Sequence, residues 1–348
     1  MNGSPVIGAA ALHDLLAAVF ARAGMSEGHA AATAAMLVWA ELRGVGSHGV
    51  TRVPRYLEMI ASGEIDPVAE PVVAQLAPAL ARIDALRGPG AVALDRAVRT
   101  AATMARNAGA ASVVVARATH AGAIGMHAAA LAEQGFAAIV IAAGMPNMAY
   151  HGAAVASLAT APIALAVPGP AGAPPLLLDM ASATLAMGRL VQMRRAGERL
   201  AEGLALSRAG EPTTDPAEAA IPLPLGGAKG SGLSLLFECL TGVLAGAPVL
   251  IGYLDGSDRR HGQTALVHAI DIAALRPLDA FRADIARLVA AIRALPRQAG
   301  VSELLLPGER GARMAAKRAA AGIPAGSAAF AELAAIAARM GVPAPTFS

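Results

Sequence analysis

Apolar residues near the amino end of the chain recur with the spacing of an amphipathic helix. One face of the first such segment carries large apolar side chains, namely Leu12, Leu15, Leu16, Val19 and Phe20. An alanine-rich stretch over residues 27–43 continues the helical spacing. A glycine-rich turn at 44–50 follows it, and residues 51–56 are predicted to begin another short helix.

From about residue 80 the pattern changes to an alternation of strands and helices. The predicted elements are, in order, strand 82–86, helix 91–108, strand 112–116 and helix 122–134. This order is typical of an α/β protein. After about residue 276 the spacing becomes helical again, so the sequence predicts a sheet-containing middle region between helical chain ends.

The stretch from residue 135 to residue 178 contains no Asp, Glu, Lys or Arg. Pro146, Pro162, Pro168 and Pro170, together with many glycines, divide it. The resulting runs are shorter than the ~18 residues that a membrane-spanning helix needs, so no membrane partner is expected. We predict buried strands instead, at 137–142 and 163–167, because a sheet covered on both faces has continuous apolar strands.

Composition narrows the functional classes. The chain has 348 residues, of which 55% are hydrophobic and 15% charged, which supports a large core and argues against disorder. The net charge of +3 comes from scattered arginines, and aromatic residues make up only 3% of the chain. Nucleic-acid-binding surfaces cluster their basic residues, and stacking platforms add aromatic ones, so no nucleic acid partner is expected.

Cys239 is the single cysteine of the chain, so no disulfide can form within it. It lies in an apolar helical stretch and is predicted to be a small core residue. The amino end lacks the basic flank and unbroken apolar run of a signal peptide. Together these features predict a cytoplasmic protein.

Lys229 is one of only two lysines in a chain with 26 arginines. It lies in the glycine-rich run 226–232, which opens onto an apolar helical pattern. A lysine and free backbone N–H groups at a helix N-terminus suit a phosphate or pyrophosphate. The alternative is a flexible turn with a solvated lysine. The run is not a P-loop, because Gly230 stands where that motif needs Ser or Thr.

A second glycine-rich segment, Gly88-Pro89-Gly90, lies between a predicted strand and a predicted helix, which is the context of a dinucleotide-binding fingerprint. Proline removes an N–H that the fingerprint would direct at phosphate. The next predicted strand also lacks the acidic residue that would bind a ribose. We therefore favour an ordinary strand-to-helix turn over a Rossmann site.

Two histidines lie where a catalytic cleft is expected. His48 follows Ser47 in a glycine-flanked turn, and Ser47 can orient the imidazole through a hydrogen bond. Arg52, four residues on, would face the same side of a helix and suits a substrate carboxylate. His120 follows a predicted strand, at the sheet edge where α/β proteins bind ligands. Each histidine could instead be a hydrogen-bonded structural residue, whereas together with Arg52 they suggest an acid/base site.

Asp179 ends the uncharged stretch, and its carboxylate could cap the following helix or partner a histidine. His127 lies seven residues after His120 and could serve only in packing. Neither histidine has a cysteine or a second carboxylate at ligand spacing, so no metal site is predicted.

Spaced motifs extend along nearly the whole chain. They are, in order, Ser47-His48-Gly49-Val50-x-Arg52-x-Pro54-Arg55-Tyr56, Thr119-His120-x-Gly122-x-x-Gly125, Leu178-Asp179-Met180-Ala181, Pro224-Leu225-Gly226-Gly227-x-Lys229-Gly230-x-Gly232-Leu233, and Pro307-Gly308-Glu309 with Gly322-Ile323-Pro324. In this order they resemble the malate/L-lactate dehydrogenase family, which also holds sulfolactate and ureidoglycolate dehydrogenases and reductases of cyclic-imine carboxylates. Several motifs in sequence are far more specific than any one of them.

The resemblance implies an α/β fold in which a mixed sheet that is not a Rossmann fold binds NAD or NADP. It implies a helical domain built from residues 1–75 and 276–348, and a sheet domain over 76–275. It also implies a homodimer that acts on a small-molecule carboxylate.

The resemblance further implies roles for individual residues. His48 resembles the proton donor to the substrate, with Ser47 and Asp179 as its relay partners, and His120 resembles a second acid/base histidine. Arg52 resembles the clamp on the substrate carboxylate. The implied substrate and cofactor contacts are Tyr56 and Gly144 for the substrate, and Leu178, Asp179, Met180, Lys229, Gly230, Pro307, Gly308 and Glu309 for the cofactor.

The chain departs from the family pattern around the substrate. Gly46 replaces the usual aspartate before Ser-His-Gly, and the segments 143–144, 149–153, 158–162 and 181–183 differ from the usual motifs. Through these differences, several polar groups that would line the substrate pocket are replaced by small apolar ones. The identity of the substrate and the choice between NAD and NADP therefore stay open. The expected reaction is hydride transfer between a nicotinamide and a small 2-hydroxy or 2-oxo acid of the malate or lactate type.

Three other functions are weighed against this one. Within the enzyme class, the alternative is a cyclic-imine (pyrroline or piperideine) carboxylate reductase. From another class, the chain could be a nucleotide-binding protein without catalytic activity. A hydrolase using Ser47, His48 and Asp179 is disfavoured, because adjacent Ser and His side chains rarely aim at each other and no Gly-x-Ser-x-Gly elbow is present.

Overall fold

The computed structural model describes residues 5–185 and 187–343. The amino-terminal elements are β1 (Val6–Ile7), α1 (Ala9–Arg22), α2 (Glu27–Leu42) and α3 (Val53–Ala61). The predicted apolar face of α1 is buried throughout. Helix α2 begins after Ser26, whose side chain accepts a hydrogen bond from the backbone N–H of His29 and so caps the helix. Two 3₁₀ turns, Gly46–His48 and Val50–Arg52, join α2 to α3.

The middle of the chain alternates strands and helices. Its elements are β2 (Val72–Ala77), β3 (Leu80–Asp84), α4 (Gly90–Ala108), β4 (Ala110–Ala118), α5 (Gly125–Glu133), β5 (Phe136–Gly144), β6 (Met148–Ala149), β7 (Ala156–Leu158), β8 (Pro162–Val167), β9 (Leu176–Ala181), α6 (Met187–Ala196), β10 (Ala205–Ser207), β11 (Pro212–Thr213), β12 (Ala219–Pro222), α7 (Ala228–Glu238), α8 (Val249–Asp255) and β13 (Gln263–Asp271). A π-helical turn, Cys239–Val243, continues α7. The carboxy-terminal elements are α9 (Ile272–Leu275), α10 (Leu278–Arg293), α11 (Glu309–Ala321), β14 (Ile323–Pro324) and α12 (Ala328–Arg339).

One large sheet has the strand order β2-β3-β4-β13-β5-β8-β9. Strands β3 and β4 pair in parallel across the crossover helix α4, and the other neighbouring strands pair antiparallel. The predicted α/β class is confirmed as a mixed α/β fold. The uncharged strands predicted at 137–142 and 163–167 are β5 and β8.

Strand β13 lies in the centre of the sheet although it is the sheet's last strand along the chain. Its register pairs Gln263 with Ala118 of β4 on one side and with Gly144 of β5 on the other. The loop after β4, which carries His120, therefore lies beside the residues that precede β13.

The two largest apolar cores join the helices and the sheet. One packs α4 and α5 against the sheet, largely through alanine and valine side chains. The other joins both chain ends, because Phe20 and Tyr56 pack in the same cluster as Ile323, Phe330 and Leu333. The Ser47–His48 turn precedes α3 beside this second core.

The segment formed by α7 and the π turn differs from the sequence prediction in the burial of its cysteine. Cys239 is exposed, so the prediction that it is a core residue is wrong. The prediction failed because an apolar pattern does not guarantee burial. Leu236, Leu240 and Leu244 of the same segment are also exposed, so one apolar face of the segment faces solvent. In the described part of the chain, no helix combines the length and the apolar character needed to cross a bilayer.

Candidate active site

The turn that carries His48 is held by Glu41, a buried residue near the end of α2. The Glu41 carboxylate accepts a hydrogen bond from the backbone N–H of Val50 at 2.9 Å. A Cβ at Gly49 would overlap that carboxylate, so a larger residue there would displace Glu41. Burial raises the pKa of Glu41 above its usual value. Sequence reasoning missed Glu41, whose only signal was an acid on the alanine-rich helix just before the glycine-rich turn.

His48 and Arg52 both contact Ser47. The Ser47 hydroxyl lies 3.1 Å from Nδ1 of His48, and Nε of Arg52 donates to the Ser47 carbonyl oxygen at 2.6 Å. The predicted orientation of His48 by Ser47 is therefore present. The expectation that adjacent Ser and His side chains do not aim at each other is wrong here, because a tight 3₁₀ turn brings the two together. The missing Gly-x-Ser-x-Gly elbow still disfavours a hydrolase.

Tyr56 and Gly122 fix the orientation of His120. The Tyr56 hydroxyl lies 2.6 Å from Nδ1 of His120, and the Gly122 N–H donates to the same nitrogen at 3.2 Å. Because the Gly122 N–H can only donate, Nδ1 acts as an acceptor and the proton of the neutral ring is on Nε2. His120 therefore has one N–H left to offer to a ligand. A bulky residue at Gly122 would overlap Met36, so this turn is tightly packed.

The two predicted histidines are neighbours. The rings of His48 and His120 are stacked, with centroids 5.9 Å apart and planes inclined by 22°. Burial and the nearby Arg52 charge lower the pKa of His48 to about 4. Burial first, and then the charges of Arg52, His48 and His261, lower the pKa of His120 well below its usual value. Both imidazoles are therefore neutral at pH 7 in the free protein.

Arg52 is an unbalanced cation in this cleft. Among the residues that the structure describes, no carboxylate lies within ion-pair distance of its guanidinium, whose Nε is used by Ser47. A half-buried guanidinium without a counter-ion favours an anionic ligand. The contrast is Arg55, one turn later, which pairs with Glu58 at 2.9 Å and Glu64 at 3.0 Å.

His261 lies in the same group and was missed by sequence reasoning. Its ring centroid is 6.3 Å from that of His120. It precedes β13, and the register of that strand brings it to the loop after β4. Gly144, a predicted substrate contact, lies on the other side of the same strand start, where a Cβ would press on Gln263 and on the Gly262 carbonyl. The spacing of these residues along the sequence could not predict that they are neighbours, because the order of the strands in the sheet brings them together.

The carboxylate of Asp179 is bound by the start of α5. It accepts a hydrogen bond from the backbone N–H of Gly125 at 3.1 Å, and Arg43 acts on it electrostatically. Although Asp179 as a residue is exposed on β9, the packing around its carboxyl group raises its pKa. The hydrogen bonds of the described residues include none between Asp179 and His48, so the predicted relay between them is not a direct contact. His127 is buried inside α5, as its packing alternative predicted.

The predicted cofactor segments meet along the edge strand β9. At its start, Gly308 packs so closely on Leu177 that a Cβ would overlap the strand, and the Pro307 carbonyl accepts from the Leu177 N–H at 3.1 Å. Just beyond its end, Gly230 approaches the Ser182 carbonyl with the same closeness. Leu178, Asp179 and Met180 therefore lie between the other two segments.

Lys229 lies in the first turn of α7, as the apolar pattern after the glycine run predicted. It is exposed, and across residues 5–185 and 187–343 no carboxylate is within ion-pair distance of it. The preceding Gly226 and Gly227 both have positive φ angles, which glycine adopts without strain. The backbone N–H of His151 donates to the Ser231 hydroxyl at 2.8 Å, and its ring lies where a Cβ at Gly227 would meet it. His151 therefore lies beside this loop, and it was not singled out from sequence. Glu309 at the opposite end pairs with Arg293 and Arg313.

Within the described residues, no group of three His, Cys, Asp or Glu side chains is arranged to hold a metal ion. The site is instead built from imidazoles, one unpaired guanidinium, and an exposed lysine at a helix N-terminus. Such groups suit an anionic substrate, proton transfer and a phosphate-bearing ligand.

Curated relatives carry dehydrogenase and reductase names. Malate dehydrogenase of Pyrococcus horikoshii is 33% identical over 341 residues, which cover 95% of this chain and 94% of the relative. The Δ1-pyrroline-2-carboxylate/Δ1-piperideine-2-carboxylate reductase of Pseudomonas putida is 37% identical over 238 residues, which cover 68% of this chain and 70% of the relative. Ureidoglycolate dehydrogenase (NAD(+)) of Escherichia coli is 31% identical over 303 residues, which cover 86% of each.

A solved structure and a family model agree with these relatives. The structure of the Pyrococcus horikoshii malate dehydrogenase superimposes with a TM-score of 0.88 at 30% identity, covering 99% of this chain and 97% of that one. The model of the family described as malate/L-lactate dehydrogenase matches residues 7–334. The match takes in the Ser47–His48 turn, the Lys229 loop and the turn at Pro307. The chain therefore belongs to the malate/L-lactate dehydrogenase family.

Proposed function

We propose that the chain is a nicotinamide-dependent oxidoreductase that interconverts a small 2-hydroxy acid and the corresponding 2-oxo acid. The observation that carries the proposal is the Arg52 guanidinium, which has no carboxylate partner in the described chain and lies beside His48 and His120. The names of the malate and ureidoglycolate dehydrogenases among the relatives support this substrate class.

Each residue of the site has its own role in the proposed reaction. The terminal nitrogens of Arg52 bind the substrate carboxylate, since its Nε is already used by the Ser47 carbonyl. Ser47 holds the Nδ1 side of His48, which leaves Nε2 to exchange a proton with the substrate oxygen. Nε2–H of His120 donates to the same oxygen and keeps it in place. Tyr56 supports His120 from behind, and Gly144 leaves room beside Gln263 at the strand start.

The segments along β9 fit a dinucleotide. Lys229 and the N-terminus of α7 would hold phosphate, and the backbone of Leu178, Asp179 and Met180, with the turn at 307–309, would line the rest. NAD or NADP bound there would supply or accept the hydride at the substrate carbon. The non-Rossmann character of this site is also part of the proposal. The packing around Gly90 supports this part of the proposal. The carbonyl oxygens of His120 and Thr119 lie against Gly90, in the space that a fingerprint loop would leave for pyrophosphate.

The wider arrangement follows from the two cores. His48, Arg52 and Tyr56 come from the helical region that the chain ends share, whereas His120, Gly144 and His261 come from the sheet region. We propose the division into 1–75 with 276–348, and 76–275, with the substrate between them. We further propose a homodimer in the cytoplasm, where the lone Cys239 would stay reduced.

A second candidate is supported by the Pseudomonas putida relative, which is a cyclic-imine carboxylate reductase. The same groups would serve it, since Arg52 would bind the carboxylate and His48 would protonate the imine nitrogen. Rates with pyruvate, oxaloacetate and pyrroline-2-carboxylate, each with NADH and NADPH, separate the two reactions. Nucleotide binding without turnover of any of these compounds would instead identify a protein that keeps the fold without the activity.

The proposed role of His48 is tested by the variant His48→Ala. We expect kcat to fall about 10²–10⁴-fold, because that is the usual contribution of a general acid or base. Cofactor affinity, measured by titration with reduced nicotinamide, should stay unchanged because Lys229 lies on another element. Full turnover by this variant with bound cofactor would remove the assignment.

A further inference from the structure

His261 is a third imidazole of the cleft that the proposed mechanism does not use. Its Nε2 is shielded from solvent and has no hydrogen-bond partner among the described residues. The residue as a whole is only partly buried. An imidazole with an unsatisfied nitrogen at the edge of a substrate site costs stability unless a ligand uses the ring.

The backbone of His261 is held in place from two sides. Nη2 of Arg87 donates to the His261 carbonyl at 3.1 Å and to the Glu64 carbonyl at 2.9 Å. Two residues on, Oε1 of Gln263 accepts from the backbone N–H of Ala121 at 2.6 Å, next to His120. The backbone that carries His261 is therefore held beside the loop that carries His120.

The charges around His261 are mostly positive. Arg52, Arg55 and Arg87 act on its ring, whereas Glu64 is the one carboxylate that acts on it among the described groups. Burial, aided by these cations, lowers the pKa of His261 to about 4, so the ring is neutral at pH 7. A neutral ring that still has a nitrogen to offer, in an electropositive wall, is suited to hydrogen-bond an anionic group.

We propose that His261 is a specificity-determining residue that binds a second acidic group of the substrate. This inference rests on the proposed function, in which Arg52 takes the first carboxylate and His48 and His120 take the reacting oxygen. The ring of His120 neighbours both of the others, so a substrate held by His120 lies within reach of His261. The site should therefore prefer a 2-oxo acid with two acidic groups over one with a single carboxylate.

The experiment compares oxaloacetate with pyruvate in wild-type protein and in the variants His261→Ala and His261→Gln. Wild-type protein should show the higher kcat/KM with oxaloacetate. In His261→Ala we expect KM for oxaloacetate to rise at least about 10-fold, which is the usual loss for a hydrogen bond to a charged group. KM for pyruvate should stay within about twofold, and His261→Gln should recover part of the loss because its amide can also donate.

The matched control is His268→Ala, on the strand β13 that follows His261, where Nδ1 of His268 is hydrogen-bonded to the Ser112 hydroxyl at 2.8 Å outside the cleft. It should leave the preference for oxaloacetate unchanged. An equal loss on both substrates in His261→Ala, or no loss on either, would overturn the assignment of His261 while leaving the proposed function intact. If the wild-type protein reduces neither acid, the proposed function fails first and this assignment falls with it.

Discussion

His48 faces opposite requirements in the two directions of the proposed reaction. Oxidation of a 2-hydroxy acid needs a neutral imidazole that accepts a proton, whereas reduction of a 2-oxo acid needs the protonated ring. Burial and the Arg52 charge lower its pKa to about 4, so the neutral form dominates above that pH. The free protein is therefore set for oxidation, and a substrate carboxylate on Arg52 would favour protonation by neutralising the guanidinium.

The pH dependence of kcat/KM should report this low pKa, since kcat/KM follows groups of the free enzyme. For oxidation, we expect a flat profile at neutral pH and a fall as the pH drops through about 4. For reduction, kcat/KM should fall about tenfold per unit as the pH rises above that value, because the protonated fraction falls in the same proportion. Initial rates at low substrate concentration measure both profiles.

A midpoint near ~6.5, the ordinary value for histidine, would contradict the effect of burial on His48. The variant Arg52→Met provides a control that does not need activity. Because the guanidinium lowers the pKa of His48, its removal should raise that pKa in an NMR titration of the imidazole.

For single residues, the sequence predicted the contacts between side chains that lie within about one helical turn of each other. Ser47, His48 and Arg52 are close along the chain, so a short helical turn sufficed to place them together. Glu41 and His261 were missed because their contacts depend on tertiary packing. Glu41 reaches the turn because Gly49 leaves space for its carboxylate. The spacing of residues along the sequence does not reveal such a contact.

Among the elements, the strands and helices with strong apolar periods were predicted and their pairing was not. The runs that became β5 and β8 were recognised from continuous apolar residues. Strand β13 was missed, and its insertion between β4 and β5 is a matter of hydrogen-bond register that the sequence of one strand does not encode. That insertion is also what brings His261 and Gly144 to the site.

The start of α7 gives a test at the scale of one element. Replacing Lys229 with methionine removes the charge at this helix N-terminus, so affinity for NADH or NADPH should fall about 10–100-fold. kcat at saturating cofactor should change little, because Lys229 is assigned to binding and not to proton transfer. Titration of the cofactor by fluorescence or calorimetry measures the change.

Lys317, the other lysine of the chain, is the matched control. It is exposed on α11 and lies outside the β9 segments. Lys317→Met should therefore bind the cofactor like the wild-type protein. Equal affinities for the wild type and Lys229→Met would assign the glycine-rich run to a simple turn, which is the alternative that its composition left open.

For the whole molecule, the most distinctive surface is an uncharged apolar face on α7, the π turn and α8. We call it the α7–α8 face, and its exposed large residues are Leu233, Leu235, Leu236, Leu240, Val243, Leu244, Ile251 and Leu254. The only charged residue between Gly230 and Leu254 is Glu238, which is buried. Monomers rarely expose apolar patches larger than a few hundred Å². A twofold dimer would pair this face with itself without bringing like charges together, which fits the homodimer that the family resemblance implies.

We propose that this face joins two copies of the chain. The wild-type protein should then sediment as a dimer, and the double variant Leu236→Arg with Leu244→Arg should sediment as a monomer. Two arginines on a self-paired face place four like charges in one interface, which costs far more than the loss of two apolar contacts. Because α7 also carries Lys229 in its first turn, the monomer should bind the cofactor more weakly. Leu275→Arg, at a leucine that is 77% exposed outside this face, should remain dimeric. A wild-type monomer, or a double variant that stays dimeric, would show that the α7–α8 face is not the contact between copies.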